Sequence, residues 1–136
     1  EAIVSFRSRS YLVLVEALKH TEERLRRHAC DLLIRIGEDT LVQKLLKLAN
    51  DRNNYLRENI ARILGRIGSG KVVDTLIALL ADRSGSVRRT AAEALGTLRD
   101  IRAIVALKKA ERDQTHEVRQ AAATALQDIF KANKLS

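Results

Sequence analysis

Residues 82–98, DRSGSVRRTAAEALGTL, occur in the chain in four related copies at a fixed spacing of 31 positions. The other copies are residues 51–67 (DRNNYLRENIARILGRI), residues 113–129 and the most divergent one, residues 20–36 (HTEERLRRHACDLLIRI). No insertion or deletion interrupts the register. A fixed period of this length is typical of a solenoid, in which each unit buries its apolar face on its neighbours.

Each period contains two helical patterns. Apolar residues at Leu41, Leu45, Leu48 and Ala49 follow the spacing of a helix with one buried face. The pattern predicts first helices at residues 10–19, 40–50, 71–81 and 102–112, and second helices at 23–36, 54–67, 85–98 and 116–130. The short connections between them predict antiparallel helix pairs.

Residues that begin and end helices agree with this division. Four residues with short oxygen-bearing side chains precede the second helices and are predicted N-caps: Thr21, Asn53, Ser84 and Thr115. Gly37 and Gly68 follow two of the second helices, where a left-handed residue can close the last turn.

The fold class predicted is therefore all-α, a right-handed solenoid of about four antiparallel helix pairs in a single domain. The predicted repeats are residues 10–37, 38–68, 69–99 and 100–130, followed by a tail at 131–136. Residues 1–9 are interpreted as the remnant of a preceding helix. Because the chain opens on Glu1 rather than methionine, we interpret it as a fragment or processed product with repeats that could precede it.

Composition excludes some classes of protein. Apolar runs such as residues 11–15 and 76–81 are far shorter than the roughly 20 residues that span a bilayer, so no membrane partner is expected. The single cysteine, Cys30, cannot form an internal disulfide, which favours a reducing compartment and a cytoplasmic location. The sequence contains no proline and offers no candidate for a proline-rich linker or a second domain.

Residues 76–96, LIALLADRSGSVRRTAAEALG, resemble the short bacterial-type HEAT repeats, and the resemblance extends over residues 10–130. It implies an armadillo-type superhelix whose second helices line the concave surface. It also implies a structural ladder of turn aspartates and helix-opening arginines, which in this sequence are Asp51 with Arg57, Asp82 with Arg88, and Asp113 with Arg119. In the first repeat His20 replaces the aspartate, so Arg26 is expected to lack its partner.

The exposed positions of the second helices are the candidate binding positions. They carry six arginines and six carboxylates, so the formal charge of +8 is not concentrated there, as a nucleic-acid groove would require. The arginines are, however, concentrated in the first two repeats. The predicted partner-binding residues are Arg24, Arg27, His28, Arg35, Tyr55, Asn59, Arg62, Arg66 and Arg89.

The sequence contains few residues in catalytic or metal-binding patterns. His28 and Asp31 share a helix face without a nucleophile beside them, and Glu16 and His20 are too few ligands for zinc. Cys30 shares its repeat position with three alanines, which predicts a small buried residue, and the repeat pattern fixes no basic partner beside its thiol. We therefore expect no enzyme activity, no cofactor, no metal and no small-molecule substrate.

These observations favour a scaffold or adaptor domain that binds a protein or peptide, including one with acidic patches, on its concave face. Two alternatives stay open. One is a nucleic-acid-binding module, since some HEAT-like proteins are DNA alkylpurine glycosylases, although this chain lacks tryptophan and has few aromatic residues. The other is a subunit like the HEAT-like bilin lyases, which have similar repeats.

Overall fold

The computed structural model describes residues 2–68 and 70–135, with side chains described from Arg9 onward. Glu1, the predicted repeat boundary at Ser69 and the last tail residue, Ser136, lie outside the described residues. Within the described ranges the chain is helical and contains no strand. The helices are α1 (Ala2–Ala17), α2 (Glu23–Ile36), α3 (Asp39–Leu48), α4 (Asn54–Ile67), α5 (Val73–Leu79), α6 (Gly85–Leu98), α7 (Ile104–Ala110) and α8 (His116–Ala132).

The helices form the two layers of an α-solenoid. The second helices α2, α4, α6 and α8 lie side by side, and each packs against the first helix of its own pair. Leucine, isoleucine, valine and alanine fill the space between the layers, with Leu33, Leu64 and Leu95 fully buried in successive second helices. This core confirms the predicted fold class, since each unit buries its apolar face on its neighbours.

The second helices begin and end close to the predicted positions. Helices α2, α4 and α6 have the predicted bounds, and α8 continues to Ala132, two residues beyond the prediction. Their caps are less uniform. The Asn53 side chain accepts a hydrogen bond from Leu56 N–H, but Ser84 and Thr115 hold the N-cap positions without such a bond.

The predicted N-cap at Thr21 is wrong, because α2 has Glu22 in that position. At the other end of α2, Gly37 adopts the predicted left-handed conformation, with φ of 53°, and its N–H donates to Leu33 O.

The first helices differ more from the sequence prediction. Helices α5 and α7 have only seven residues each, because the 3-10 turns Gly70–Val72 and Ile101–Ala103 replace their expected first turns. Helix α1 is continuous from Ala2 to Ala17, so the boundary expected after residue 9 is wrong. No glycine or proline interrupts that segment, and nothing in its backbone chemistry stops the helix there.

Neighbouring second helices approach closely where glycine faces alanine. A Cβ on Gly65 would lie 2.5 Å from Ala94 Cβ, and one on Gly96 would lie 2.9 Å from Ala125 Cβ. The equivalent position in α2 is Ile34, and α2 approaches α4 less closely than α4 approaches α6. The glycines therefore set a short spacing within the last three repeats, which the first joint does not share.

No described helix is both long enough and apolar enough to cross a bilayer.

Candidate functional site

Two buried ion pairs join successive repeats. Nε and Nη2 of Arg57 donate to the two carboxylate oxygens of Asp82 at 2.8 and 3.1 Å. Arg88 makes the same two contacts with Asp113, also at 2.8 and 3.1 Å. Each arginine thus reaches the aspartate of the following repeat, 25 residues further along the chain, in the bidentate geometry that strengthens such pairs.

The expected pairing of Asp82 with Arg88 through the carboxylate is therefore wrong. Arg88 donates instead to the backbone oxygen of Asp82 at 2.8 Å, while the carboxylate accepts the N–H of Ser84 and the side chain of Arg57. The guanidinium of each of these arginines donates to a backbone oxygen in the turn of its own repeat and to the aspartate carboxylate in the turn of the next repeat. Repetition in the sequence identifies both residue columns but not which aspartate an extended arginine reaches.

The ladder changes the acidity of its carboxyl groups. Burial alone would raise the pKa of Asp82, but hydrogen bonds from the Arg57 side chain and Ser84 N–H outweigh it, so the pKa lies below its usual value. The pKa of Asp113 is lowered against burial in the same way by Arg88 and Thr115 N–H. Both groups are therefore held as carboxylates at neutral pH.

A pH-dependent loss of stability is expected from these shifts. A lowered folded-state pKa stabilises the fold above the unfolded value of about 3.9, and this contribution disappears as pH falls through the folded-state pKa. Asp113→Asn should thus be clearly less stable than wild type at neutral pH, with the difference shrinking at about pH 3. Urea unfolding at both pH values measures it, and a difference that does not change with pH would contradict the assignment.

The ladder is modified at both ends. Arg26 donates to the backbone oxygens of His20 and Thr21, and its guanidinium stacks 4.1 Å above the Tyr55 ring instead of pairing with Asp51. Asp51 accepts the N–H of Asn53 and lies 3.8 Å from Lys19 Nζ.

At the other end of the ladder, Arg119 donates to the backbone oxygen of Asp113. Four repeats therefore contain two complete ladder pairs.

His20 takes the place of an aspartate in the first turn. Its Nδ1 accepts the N–H of Glu22 at 3.0 Å, which is the bond that the ladder aspartates make in later turns. The histidine thus has a structural role. Glu16, the other potential metal ligand near it in the sequence, forms an ion pair with Lys19. Within the described residues no group of three or more potential metal ligands comes together.

The exposed faces of α2, α4, α6 and α8 form one surface, which we call the second-helix surface. The predicted residues Arg24, Arg27, His28, Arg35 and Arg66 are exposed there. Among them, Arg27 forms an ion pair with Glu23 at 3.1 Å.

Tyr55, Arg62 and Arg89 are only partly accessible on this surface, and each is engaged with another side chain. Tyr55 is 36% exposed beneath Arg26. Arg89 is half-buried, with its Nε 3.5 Å from Glu93. These two are therefore less available to a partner than the sequence suggests.

Asn59 is not available to a partner, contrary to the prediction. It is 2% exposed, its Nδ2 donates to Tyr55 O, and its Oδ1 accepts Arg62 Nη1 at 2.7 Å. The burial follows from its helical position, since the equivalent Thr90 in α6 is also 2% exposed. Asn59 thus fixes the Arg62 side chain rather than contributing its own amide to the surface.

Arg62 also lies beside Cys30, which the repeat pattern did not predict. Burial raises the pKa of the Cys30 thiol, and the Arg62 guanidinium opposes this effect without reversing it. The prediction of a buried residue is confirmed, and Arg62 is a basic neighbour that the repeat pattern does not fix there. A buried thiol with a raised pKa stays protonated and is a poor nucleophile.

Two grooves run along the second-helix surface. The α4/α6 groove, of about 220 Å³, is lined by Arg62, Arg66, Thr90, Glu93 and Thr97 with Gly65 and Ala94. The α6/α8 groove, of about 740 Å³, contains Arg89, Glu93, Glu117, Gln120, Thr124 and Asp128 among its lining residues. Both are shallow and charged, so they fit side chains of a partner better than a buried small molecule.

Comparison with solved structures gives several similar folds. A chain from the complex of CpcE and CpcF of phycocyanin lyase from Nostoc is 25% identical, with a TM-score of 0.84 over 95% of this chain and 83% of that chain. Human deoxyhypusine hydroxylase is 20% identical, with a TM-score of 0.73 over this whole chain and 50% of the enzyme. A designed armadillo repeat protein is 21% identical, with a TM-score of 0.51 over 85% of this chain and 63% of that chain.

Sequence comparison adds the family. A search of curated proteins finds no match to the sequence. The sequence profile of HEAT repeats matches residues 42–127, which is more than half of the chain. That range includes both complete ladder pairs and both close helix contacts. The chain therefore belongs to the HEAT-repeat family.

Proposed function

We propose that this chain is a non-catalytic interaction module that binds a protein or peptide, with acidic groups, on its second-helix surface. The observation that carries the proposal is the set of exposed arginines on that surface. Arg24, Arg35 and Arg66 have no acidic side chain within ion-pair distance among the described residues. Exposed arginines that no internal partner holds can form bidentate contacts with carboxylates of another protein.

The position of these arginines supports the same proposal. They lie on α2 and α4, whose opposite faces pack into the core, so each helix presents its arginines from a regular backbone. Arg66 in addition borders the α4/α6 groove. We propose that the four repeats act as the binding unit in the cytoplasm, with the predicted boundaries after residues 37, 68 and 99 and with all of α1 in the first repeat. The tail at 131–136 would not take part.

The test reverses the charge of two arginines that form no ion pair among the described residues. Arg35→Glu combined with Arg66→Glu should leave the unfolding midpoint nearly unchanged, because exposed substitutions outside structural features are usually small. Binding of the protein partner should weaken about tenfold or more. Capture from lysate with wild-type and variant baits, followed by quantitative mass spectrometry and titration of the captured protein, measures both effects.

A matched variant controls for net charge. Lys47→Glu combined with Arg112→Glu makes the same change in charge at exposed positions away from the second-helix surface, and it should retain the captured protein. Equal loss of binding with both variants would mean that net charge alone governs the interaction. If no protein is retained by wild type and lost with the arginine reversals, the proposal fails.

The lyase likeness favours a second candidate. The solved structure with 25% identity is a phycocyanin lyase complex of two different proteins, and this chain resembles one component over most of its length. A lyase-type subunit would also bind another protein, so purified phycocyanin apoprotein belongs among the titrated partners. A salt-sensitive complex with duplex DNA that nuclease treatment removes would instead favour the nucleic-acid alternative.

A further inference from the structure

We infer that the partner segment carries one acidic and one basic side chain three positions apart in an extended, polyproline II-like conformation. The acidic group would occupy the α4/α6 groove and the basic group the α6/α8 groove. This inference rests on the proposed function, since it specifies the chemistry of the partner at the second-helix surface. The observation behind the inference is that the two grooves are neighbours and differ in charge.

The α4/α6 groove favours an anion. Arg66 is exposed at its border and has no ion-pair partner among the described residues, so it supplies the uncompensated positive charge. Arg62 is held in place by the Asn59 bond, and its Nη2 lies 3.7 Å from Glu58 Oε2. Glu93 lies on the other side, but its carboxylate is 3.5 Å from Arg89 Nε. Thr90, which is 2% exposed, lines the groove, and its buried hydroxyl has no hydrogen-bond partner in the structure.

The α6/α8 groove favours a cation. Glu117 and Asp128 are exposed along it, and neither has an ion-pair partner within the described part of the chain. Its single arginine, Arg89, is engaged with Glu93. Gln120, Thr124 and Thr97 add neutral hydrogen-bonding groups. A guanidinium or ammonium group entering this groove would meet a carboxylate without an ion-pair partner, either Glu117 or Asp128, since the two lie eleven residues apart on α8.

Helix spacing sets the distance between the two charges. Packed helices lie roughly 8–10 Å apart, and the contacts of Gly65 with Ala94 and Gly96 with Ala125 hold these helices close together. A polyproline II segment rises about 3.1 Å per residue with three residues per turn, so residues three apart face the same side about 9 Å apart. A segment crossing the second helices in this conformation would place one side chain in each groove.

The experiment uses short proline-rich peptides that carry two charges each. One peptide has a glutamate and an arginine three positions apart, a second has the same pair six apart, and two others carry two glutamates or two arginines at the shorter spacing. Amide chemical shifts of the isotope-labelled chain are followed during titration into the millimolar range. We expect the first peptide to bind at least about fivefold more tightly than the others and to shift amides of α4, α6 and α8.

Two variants test whether the groove charges determine which peptide is preferred. Arg66→Glu makes both grooves acidic, so this variant should prefer the doubly basic peptide to the mixed one. Asp128→Arg combined with Glu117→Gln makes the second groove basic, because two arginines then face Glu93 alone, and this variant should prefer the doubly acidic peptide. All three side chains are exposed, and an unchanged dispersion of the amide spectrum would show that the variants remain folded.

Outcomes other than this pattern overturn the inference. Equal affinities for all four peptides, a wild-type preference for two like charges, or no binding at all would each do so. None of these results depends on the capture experiment with Arg35→Glu and Arg66→Glu. A retained protein partner would then leave the proposed function standing while this charge pattern is discarded.

Discussion

Asp82→Ala is expected to lower the free energy of unfolding by about 3 to 5 kcal/mol, because it leaves Arg57 buried without its carboxylate. Arg57 is 3% exposed, and both of its contacts with Asp82 would be lost. The N–H of Ser84 would also lose its acceptor. Chemical denaturation followed by circular dichroism at neutral pH gives the change directly.

An exposed ion pair provides the control for this variant. Glu23→Ala removes the ion pair with Arg27, in which the Glu23 side chain is 72% exposed and the Arg27 side chain 74% exposed. This substitution should lower the free energy of unfolding by less than about 1 kcal/mol. If Asp82→Ala also costs less than about 1 kcal/mol, the buried pair does not stabilise the joint between repeats. Combining Asp82→Ala with Arg57→Met should recover part of the loss, because no buried charge is then left unpaired.

Gly65→Ala is expected to destabilise the fold by about 2 to 3 kcal/mol, although alanine is the better helix former by about 1 kcal/mol. The new Cβ would lie 2.5 Å from Ala94 Cβ and 2.8 Å from Ala94 Cα, so helix α6 would have to move. Thermal unfolding monitored by circular dichroism should show a lower midpoint without loss of helical signal at low temperature.

The reciprocal substitution tests whether the contact itself is responsible. Gly65→Ala together with Ala94→Gly exchanges the methyl group between the two helices and should restore part of the lost stability. Gly70→Ala is the matched control, because its Cβ would meet only Arg102 Nη2 at 3.7 Å, which is an ordinary contact. A Gly65→Ala variant as stable as wild type would show that the helices can separate at little cost.

The sequence predicts the second helices better than the first. Their apolar columns recur in four copies, and Gly37 ends α2 in the predicted left-handed conformation. The first helices have weaker repetition, and the 3-10 turn that opens with Gly70 shortens α5 at its start. Local spacing of apolar residues shows that a helix forms but not how tightly its first turn is wound.

The candidate site is less predictable because its decisive contacts cross between repeats. Arg57 could have reached the aspartate before it or the one after it, and both have the same sequence pattern. The burial of Asn59 and the contact of Arg62 with Cys30 depend on the distance and rotation between neighbouring helices. A repeat pattern contains neither quantity. It does identify Arg24, Arg35 and Arg66 as exposed, since they face away from the apolar columns.

The isoleucine at position 34 has a mechanical consequence. Ile34 stands where later repeats have glycine, and the first joint has the Arg26–Tyr55 stack in place of a bidentate ion pair. Bending stiffness along the solenoid is therefore uneven, with the most compliant joint between α2 and α4. The close glycine–alanine contacts hold the α4/α6 and α6/α8 grooves at a fixed separation, whereas α2 can change its tilt relative to α4.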